Sequence, residues 1–202
     1  LDVKQALLAR VEAVRRPGSI VSSNTSGLPL QRIAAGRSED FRRHWLGTHF
    51  FNPPRYMRLV EVIPTADTRP EVVEAISDFC DRRLGKLVVR AKDTPNFIAN
   101  RIGTFSVLNV LRLMQEDGLT IEQVDELTGP VAGFPRSATF RTADLVGLDV
   151  LAHVVANLRD NLPDDERREL FVLPDFIQKM IERGWLGEKA GVSPGASLMN
   201  IK

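Results

Sequence analysis

The chain has few of the side chains that build covalent or metal-bound frameworks: one cysteine, Cys80, and three histidines among 202 residues. A single cysteine excludes an intrachain disulfide, and the scattered histidines do not offer the clustered spacing of a zinc site. Cys80 lies in an apolar-patterned segment and reads as a buried thiol rather than a nucleophile, which fits a reducing cytoplasm. Net charge is also nearly absent, at +1. Bulk electrostatic attraction to nucleic acid or to an anionic membrane is therefore not expected. No apolar run approaches the roughly 20 residues of a membrane span, and Leu1-Asp2-Val3-Lys4 has no signal-peptide pattern, so no membrane insertion is expected. What is present, 43% hydrophobic and 26% charged residues, suits a globular chain with room for one large domain or two small ones.

The first part alternates helix and strand patterns. Val3, Leu7, Val11 and Val14 recur at helical spacing behind Asp2, a candidate N-cap, and the pattern stops at Pro17-Gly18. Ser19 to Asn24 predicts a short buried strand. The small polar stretch Asn24-Thr25-Ser26-Gly27-Leu28-Pro29 then falls at the carboxyl end of that strand, where open α/β sheets bind ligands. Local evidence by itself favours a plain turn into a helix over Leu30 to Ala35. Arg37 to His44 reads as a solvated charged loop with His44 at the surface. Trp45 to Phe51 and Leu59 to Ile63 are two apolar strands joined by a turn at Pro53, Pro54 and Arg55. Arg69 to Leu84 predicts an amphipathic helix whose apolar face is Val72, Val73, Ile76, Phe79 and Cys80, closed by Gly85. Lys86 to Arg90 is a further strand.

From Pro95 the pattern becomes helical, which predicts a division into residues 1–94 and 95–202. Phe97, Ile98, Ile102, Phe105, Leu108, Val110, Leu111 and Met114 are apolar over a wide arc and predict a central buried helix running to Gly118. Thr120 caps Ile121 to Leu127, with Gln123 at capping-box spacing. Gly129 to Ser137 is a loop, Thr139 to Leu145 and Asp149 to Leu158 are short helices, and Pro174 to Arg183 is a last helix stopped by Gly184.

Two ionisable residues stand out inside the apolar strands. His49 and Glu61 are twelve positions apart, too far for one helix face but suited to neighbouring strands joined by a turn. A carboxylate opposite an imidazole fixes its tautomer and stabilises its protonated form, as a general base near neutral pH requires. A satisfied core histidine and an edge-strand glutamate would look the same, and these two residues alone leave both readings open.

The wider set is more specific. Ser23-Asn24-Thr25-Ser26, His49-Phe50-Phe51-Asn52-Pro53, Glu61, Asp93-Thr94-Pro95-Asn96-Phe97-Ile98-Ala99-Asn100-Arg101 and Asp144-Leu145-Val146-Gly147-Leu148-Asp149 together resemble the L-3-hydroxyacyl-CoA dehydrogenase family in order and near spacing. The resemblance runs from about Asp2 to Gly191. It implies the C-terminal part of a Rossmann-type dinucleotide-binding domain, an α/β remnant, followed by an all-α helical domain that carries homodimer contacts, with the active site between the two. It also implies NAD as cofactor and an acyl-CoA substrate oxidised at its 3-hydroxyl in fatty-acid β-oxidation. By the same resemblance His49 is the catalytic base and Glu61 its partner. Ser26 and Asn100 would donate to the reacting oxygen, and Asn24, Ser26 and Asn52 would lie at the nicotinamide and its ribose.

Three departures accompany it. The Gly-x-Gly-x-x-Gly turn that cradles a pyrophosphate is absent from this sequence. The chain is therefore expected to be a fragment, catalytically inactive or nearly so by itself. Pro135-Arg136-Ser137-Ala138-Thr139-Phe140-Arg141 replaces the Gly-Pro-Phe pattern of single-function members and is closer to bacterial enzymes fused to an enoyl-CoA hydratase module. Gly187-Glu188-Lys189-Ala190-Gly191 begins like the family's closing motif but continues into Val192-Ser193-Pro194-Gly195. Two rival readings remain, a vestigial dimerisation module and a dehydrogenase of another 3-hydroxy acid.

Overall fold

Strands and helices alternate through the first hundred residues and form a four-stranded mixed sheet. The computed structural model describes residues 1–188 together with Ser197 and Leu198, and the chain divides into two units, Leu1–Asn100 and Arg101–Lys202. The first contains α1 (Asp2–Val14), β1 (Val21–Ser23), α2 (Leu30–Ile33), α3 (Glu39–Arg43), β2 (Trp45–Phe50), β3 (Leu59–Pro64), α4 (Pro70–Asp78) and β4 (Leu87–Arg90). The sheet order is β1-β2-β3-β4. β1 and β2 run parallel, β2 and β3 antiparallel, and β3 and β4 parallel.

Successive side chains of a strand point to opposite faces, and the core divides accordingly. Trp45 and Ile63 pack with Leu8, Leu30, Ile33 and Phe41 on one face, while Leu46 and Val62 pack with Val72 and Val73 of α4 on the other. Both faces of β2 and β3 are thus covered. This is why these two strands read as continuous apolar runs.

Several expectations for this unit need correction. Asp2 does not cap α1: Leu1 occupies the cap position without a side-chain bond, and Asp2 lies in the first turn. Val3, Leu7 and Val14 are exposed and Leu8 is buried. The docked face is set instead by Val11 against the core, by Glu12 accepting from Ser38 N at 2.8 Å and by Arg15 paired with Asp40. β1 is half-exposed rather than buried, having a strand beside it, among the described residues, only at β2. Arg37 to His44 is not a loop, because Ser38 caps α3 by accepting from Phe41 N. That turn carries Phe41 into the core and buries His44, whose Nδ1 bonds the Asp40 carbonyl at 2.7 Å. After Asp78, α4 widens into a π-helical turn, Phe79–Arg83. The turn places Cys80 inward and leaves Phe79 half-exposed.

α5 (Ala99–Asp117) begins at the end of the first unit and continues in the second, which also holds α6 (Ile121–Leu127), α7 (Phe140–Val146), α8 (Leu148–Asn161) and α9 (Asp175–Glu182). α5 is buried on one face only, through Thr104, Leu108 and Leu111, and Ile98 and Ile102 are exposed. Phe97 precedes the helix with φ +52°. The Thr120–Gln123 capping box forms as expected. α7 is capped from a distance, by Asp125 Oδ1 accepting from Thr139 N and Phe140 N at 3.1 and 2.8 Å. Phe140, Leu148, Leu158, Phe171 and Ile177 form the centre of this core. Buried Asp144 accepts from Leu198 N at 2.9 Å. The closing motif from Lys189 onward, with Val192 to Gly195, lies outside the described residues. No described helix is long and apolar enough to cross a membrane.

Gly47 is the tightest point of β2. A β-carbon there would lie 2.6 Å from Leu30 Cδ1 and 3.1 Å from Ile63 Cδ1. Gly47→Ala is therefore expected to destabilise the protein by about 1–3 kcal/mol through overpacking. Urea unfolding checks this; an unchanged midpoint would show that Leu30 yields at no cost.

Candidate active site

The antiparallel register places His49 directly opposite Glu61, as twelve-residue spacing across a turn requires. Both are buried, at 4% and 1% exposure. His49 Nδ1 lies 2.6 Å from Glu61 Oε2. The other carboxylate oxygen, Oε1, accepts from Ile98 N at 3.0 Å and Ala99 N at 2.8 Å. Glu61 therefore satisfies two of the unpaired N–H groups that open α5 while holding the imidazole.

Burial alone would raise the Glu61 carboxyl. Hydrogen bonds from His49, Ala99 and Ile98, with the charge of His49, outweigh it and hold the group below the ordinary carboxylate range. An ionised carboxylate only accepts, so the proton between the two residues belongs to His49 Nδ1. In the neutral ring Nε2 then carries the lone pair, the tautomer of a general base. The edge of Phe51 contacts the imidazole with ring centroids 4.5 Å apart, and Phe97 is tilted at 5.6 Å.

The loop after β1 carries the next residues. Asn24 Oδ1 accepts from Phe50 N at 2.8 Å, which ties the end of β1 to the end of β2. The Ser26 carbonyl accepts from Asn100 Nδ2 at 3.3 Å, so these two expected donors are neighbours. Ser26 and Asn52 are solvent-exposed. The structure thus forms two pairs, His49–Glu61 and Ser26–Asn100, and joins neither to Asn52 by a hydrogen bond among the described residues.

Other residues that hold the site were not singled out from the sequence. Asp93 accepts from Leu30 N and Gln31 N, each at 2.9 Å, and so caps α2 and pins the far end of the Ser26 loop. Lys86, 8% exposed, donates its ammonium to the carbonyls of Pro54 and Met57. This clasps the loop that follows Asn52. Asp93 opens the motif that ends at Arg101 but was given no role there, and Lys86 offered only a lysine opening an apolar strand.

Replacing the buried carboxylate weakens its hydrogen bonds from His49, Ile98 and Ala99, and Glu61→Gln is expected to destabilise the protein by about 3 kcal/mol at neutral pH. Because the folded pKa lies below the unfolded value, Glu61 contributes stability above the ordinary carboxylate range and loses it as pH falls through its folded value. The gap between wild type and Glu61→Gln in denaturant unfolding should therefore narrow on acidification from pH 7 towards pH 3. A gap that stays constant would mean that the carboxylate charge is not what stabilises.

Comparison with known proteins agrees with this geometry. The family model for the NAD binding domain of 3-hydroxyacyl-CoA dehydrogenase matches residues 1–94, and that for its C-terminal domain matches residues 97–194. A probable 3-hydroxyacyl-CoA dehydrogenase of Bacillus subtilis is 52% identical over 191 residues, 95% of this chain and 24% of the relative. One from Deinococcus radiodurans is 49% identical over 95% of this chain and 54% of its own length. The chain thus spans about a quarter and about half of these two relatives. The crystal structure of Mycobacterium tuberculosis FadB2 superposes with a TM-score of 0.82 at 31% identity, over 95% of this chain and 65% of that one. The 3-hydroxybutyryl-CoA dehydrogenase of Escherichia coli K12 gives a TM-score of 0.83 at 31% identity, over 100% of this chain and 41% of that one. With a mixed sheet ending in a buried His–Glu pair, a helical second unit, and both family domains matched in order along its length, the chain belongs to the 3-hydroxyacyl-CoA dehydrogenase family.

Proposed function

We propose that the whole protein carrying this chain oxidises the 3-hydroxyl of an L-3-hydroxyacyl-CoA to the ketone with NAD as electron acceptor, the reaction of a fatty-acid β-oxidation step. The observation that carries this reading is the buried His49–Glu61 couple, whose polarity leaves Nε2 basic and not hydrogen-bonded among the described residues.

The family's first domain implies NAD, and the residues present suit its nicotinamide end. Asn24 has its oxygen fixed by Phe50 N, which leaves its amide nitrogen to donate. Ser26 and Asn52 are exposed, and carboxamides and a hydroxyl match the carboxamide and ribose hydroxyls of such a ligand. Bound NAD would supply the hydride acceptor. The grip on its pyrophosphate is not among the chemistry these residues supply, since no Gly-x-Gly-x-x-Gly occurs here.

The chain's own part is acid–base and electrostatic. His49 Nε2 takes the proton of the 3-hydroxyl as the C–H bond at C3 breaks, and Glu61 stabilises the imidazolium that results. Ser26 Oγ–H and the second N–H of Asn100 Nδ2 are the donors for negative charge growing on the oxygen. The relatives from Escherichia coli and Mycobacterium tuberculosis, both named 3-hydroxybutyryl-CoA dehydrogenase, support an acyl-CoA substrate. Exposed apolar side chains on the helical unit, Ile102 at 63%, Leu145 at 53% and Val146 at 50%, support a homodimer.

Two measurements follow. Reduction of acetoacetyl-CoA by NADH should slow by about 10²–10⁴ in His49→Gln, with acyl-CoA binding retained. Wild-type inactivity on every 3-ketoacyl-CoA, or an unimpaired variant, would sink the reading. Light scattering should give a dimer that Ile102→Asp shifts to monomer, and a monomeric wild type would remove the dimer.

A further inference from the structure

Asn96 is 3% exposed, yet its Nδ2 has no hydrogen-bond partner among the described residues. Burying an amide donor without an acceptor works against folding. Asn96 and Phe97 also hold consecutive positive φ angles, +58° and +52°. Asparagine is among the few side chains that tolerate that conformation, and glycine would adopt it more readily. Backbone need alone therefore does not explain a carboxamide here.

Its surroundings supply the rest. A β-carbon on Gly27 would overlap Asn96 Oδ1, so the carboxamide occupies the space beside the Gly27 backbone. Gly27 directly follows Ser26, whose carbonyl takes the Asn100 hydrogen bond. The next residue after Asn96, Phe97, contacts the His49 ring. Asp93, three residues earlier, grips the same loop at Leu30 and Gln31. One short segment thus holds the loop at its far end through Asp93 and presses on its middle through Asn96.

We propose that Asn96 is a positioning residue for Ser26: its carboxamide fixes the Gly27 backbone and with it the direction of the Ser26 hydroxyl. The proposal rests on the acid–base reading above, which gives that hydroxyl an oxygen to meet. It accounts for an unpaired amide kept at this place, since stability is given up where a site needs a fixed geometry. Asn96 itself touches no reactant in this scheme.

The test uses two substitutions and a cycle in the whole protein, assayed with acetoacetyl-CoA and NADH. Asn96→Gly keeps the positive φ and deletes the carboxamide. Asn96→Asp keeps the oxygen and the shape, burial favouring its uncharged acid form. In Asn96→Gly, kcat is expected to fall about tenfold with KM within about twofold and the unfolding midpoint not lowered; Asn96→Asp recovers most of the rate. In a Ser26→Ala background, Asn96→Gly is expected to add no further loss, because a residue acting through Ser26 is silent once that hydroxyl is gone. Additive losses, or an unchanged kcat in Asn96→Gly, overturn the proposal. A wild type inactive on all 3-ketoacyl-CoA substrates refutes the reaction instead. The loop is then judged by the backbone order parameter of Gly27, expected to drop from about 0.85 to below about 0.6 in Asn96→Gly and to hold in Asn96→Asp. An unchanged order parameter overturns the proposal in that case too.

Discussion

A carboxylate with 1% of its surface exposed persists as an anion only if nearly all of its lone pairs meet donors, and Glu61 meets this demand with groups from two other segments. The imidazole of His49 comes from the neighbouring strand; the two backbone N–H groups of Ile98 and Ala99 come from the start of the long helix. Each partner is constrained in return. The ring cannot turn without breaking the pair, β2 cannot slip against β3 without moving His49 to the opposite face, and the helix cannot start elsewhere without stranding a buried charge. One side chain thereby sets a tautomer, a strand register and a helix start together.

The same device recurs around the site. Asp93 gathers the backbone N–H groups of Leu30 and Gln31, and Lys86 gathers the carbonyls of Pro54 and Met57. Apolar packing builds the sheet and its two faces, but the loops at the carboxyl ends of β1 and β2 stay largely outside it, with Tyr56 and Met57 exposed. They are held by buried or half-buried ionic groups reaching backbone from a distance. The chemistry that suits a reactant is displayed on loops, while the charges that fix those loops lie behind them.

How much of this was legible follows from how local each cause is. The β2–β3 pair and the His49–Glu61 partnership were readable because two continuous apolar runs, a proline turn and a spacing of twelve are all properties of one short stretch. The capping box at Thr120 was readable for the same reason. His44 and the apolar side chains of α1 were misread because their burial is decided by α3 and by the ion pairs of Glu12 and Arg15, each 25 residues from its partner, with the hydrogen bond of Ser38 to Glu12 across 26. Asp93 and Lys86 act across separations of 63 and 32 residues, and no local pattern records such a partner. Ser26 and Asn100 lie 74 residues apart and were found through the family's motifs, not through their own surroundings. The wide apolar arc of α5 suggested full burial, whereas only the face through Thr104, Leu108 and Leu111 is covered.

The π-helical turn that follows α4 has a further consequence. By carrying Cys80 inward it leaves the one thiol of this sequence 2% exposed, and burial raises its pKa above the usual value despite the nearby Lys86 charge. Such a thiol is nearly inert towards alkylating and disulfide reagents while the fold is closed. Its labelling rate then counts excursions that separate the turn from the sheet, so the first unit carries a built-in reporter of its own breathing at one defined place, far in chemistry from the polar groups of the site.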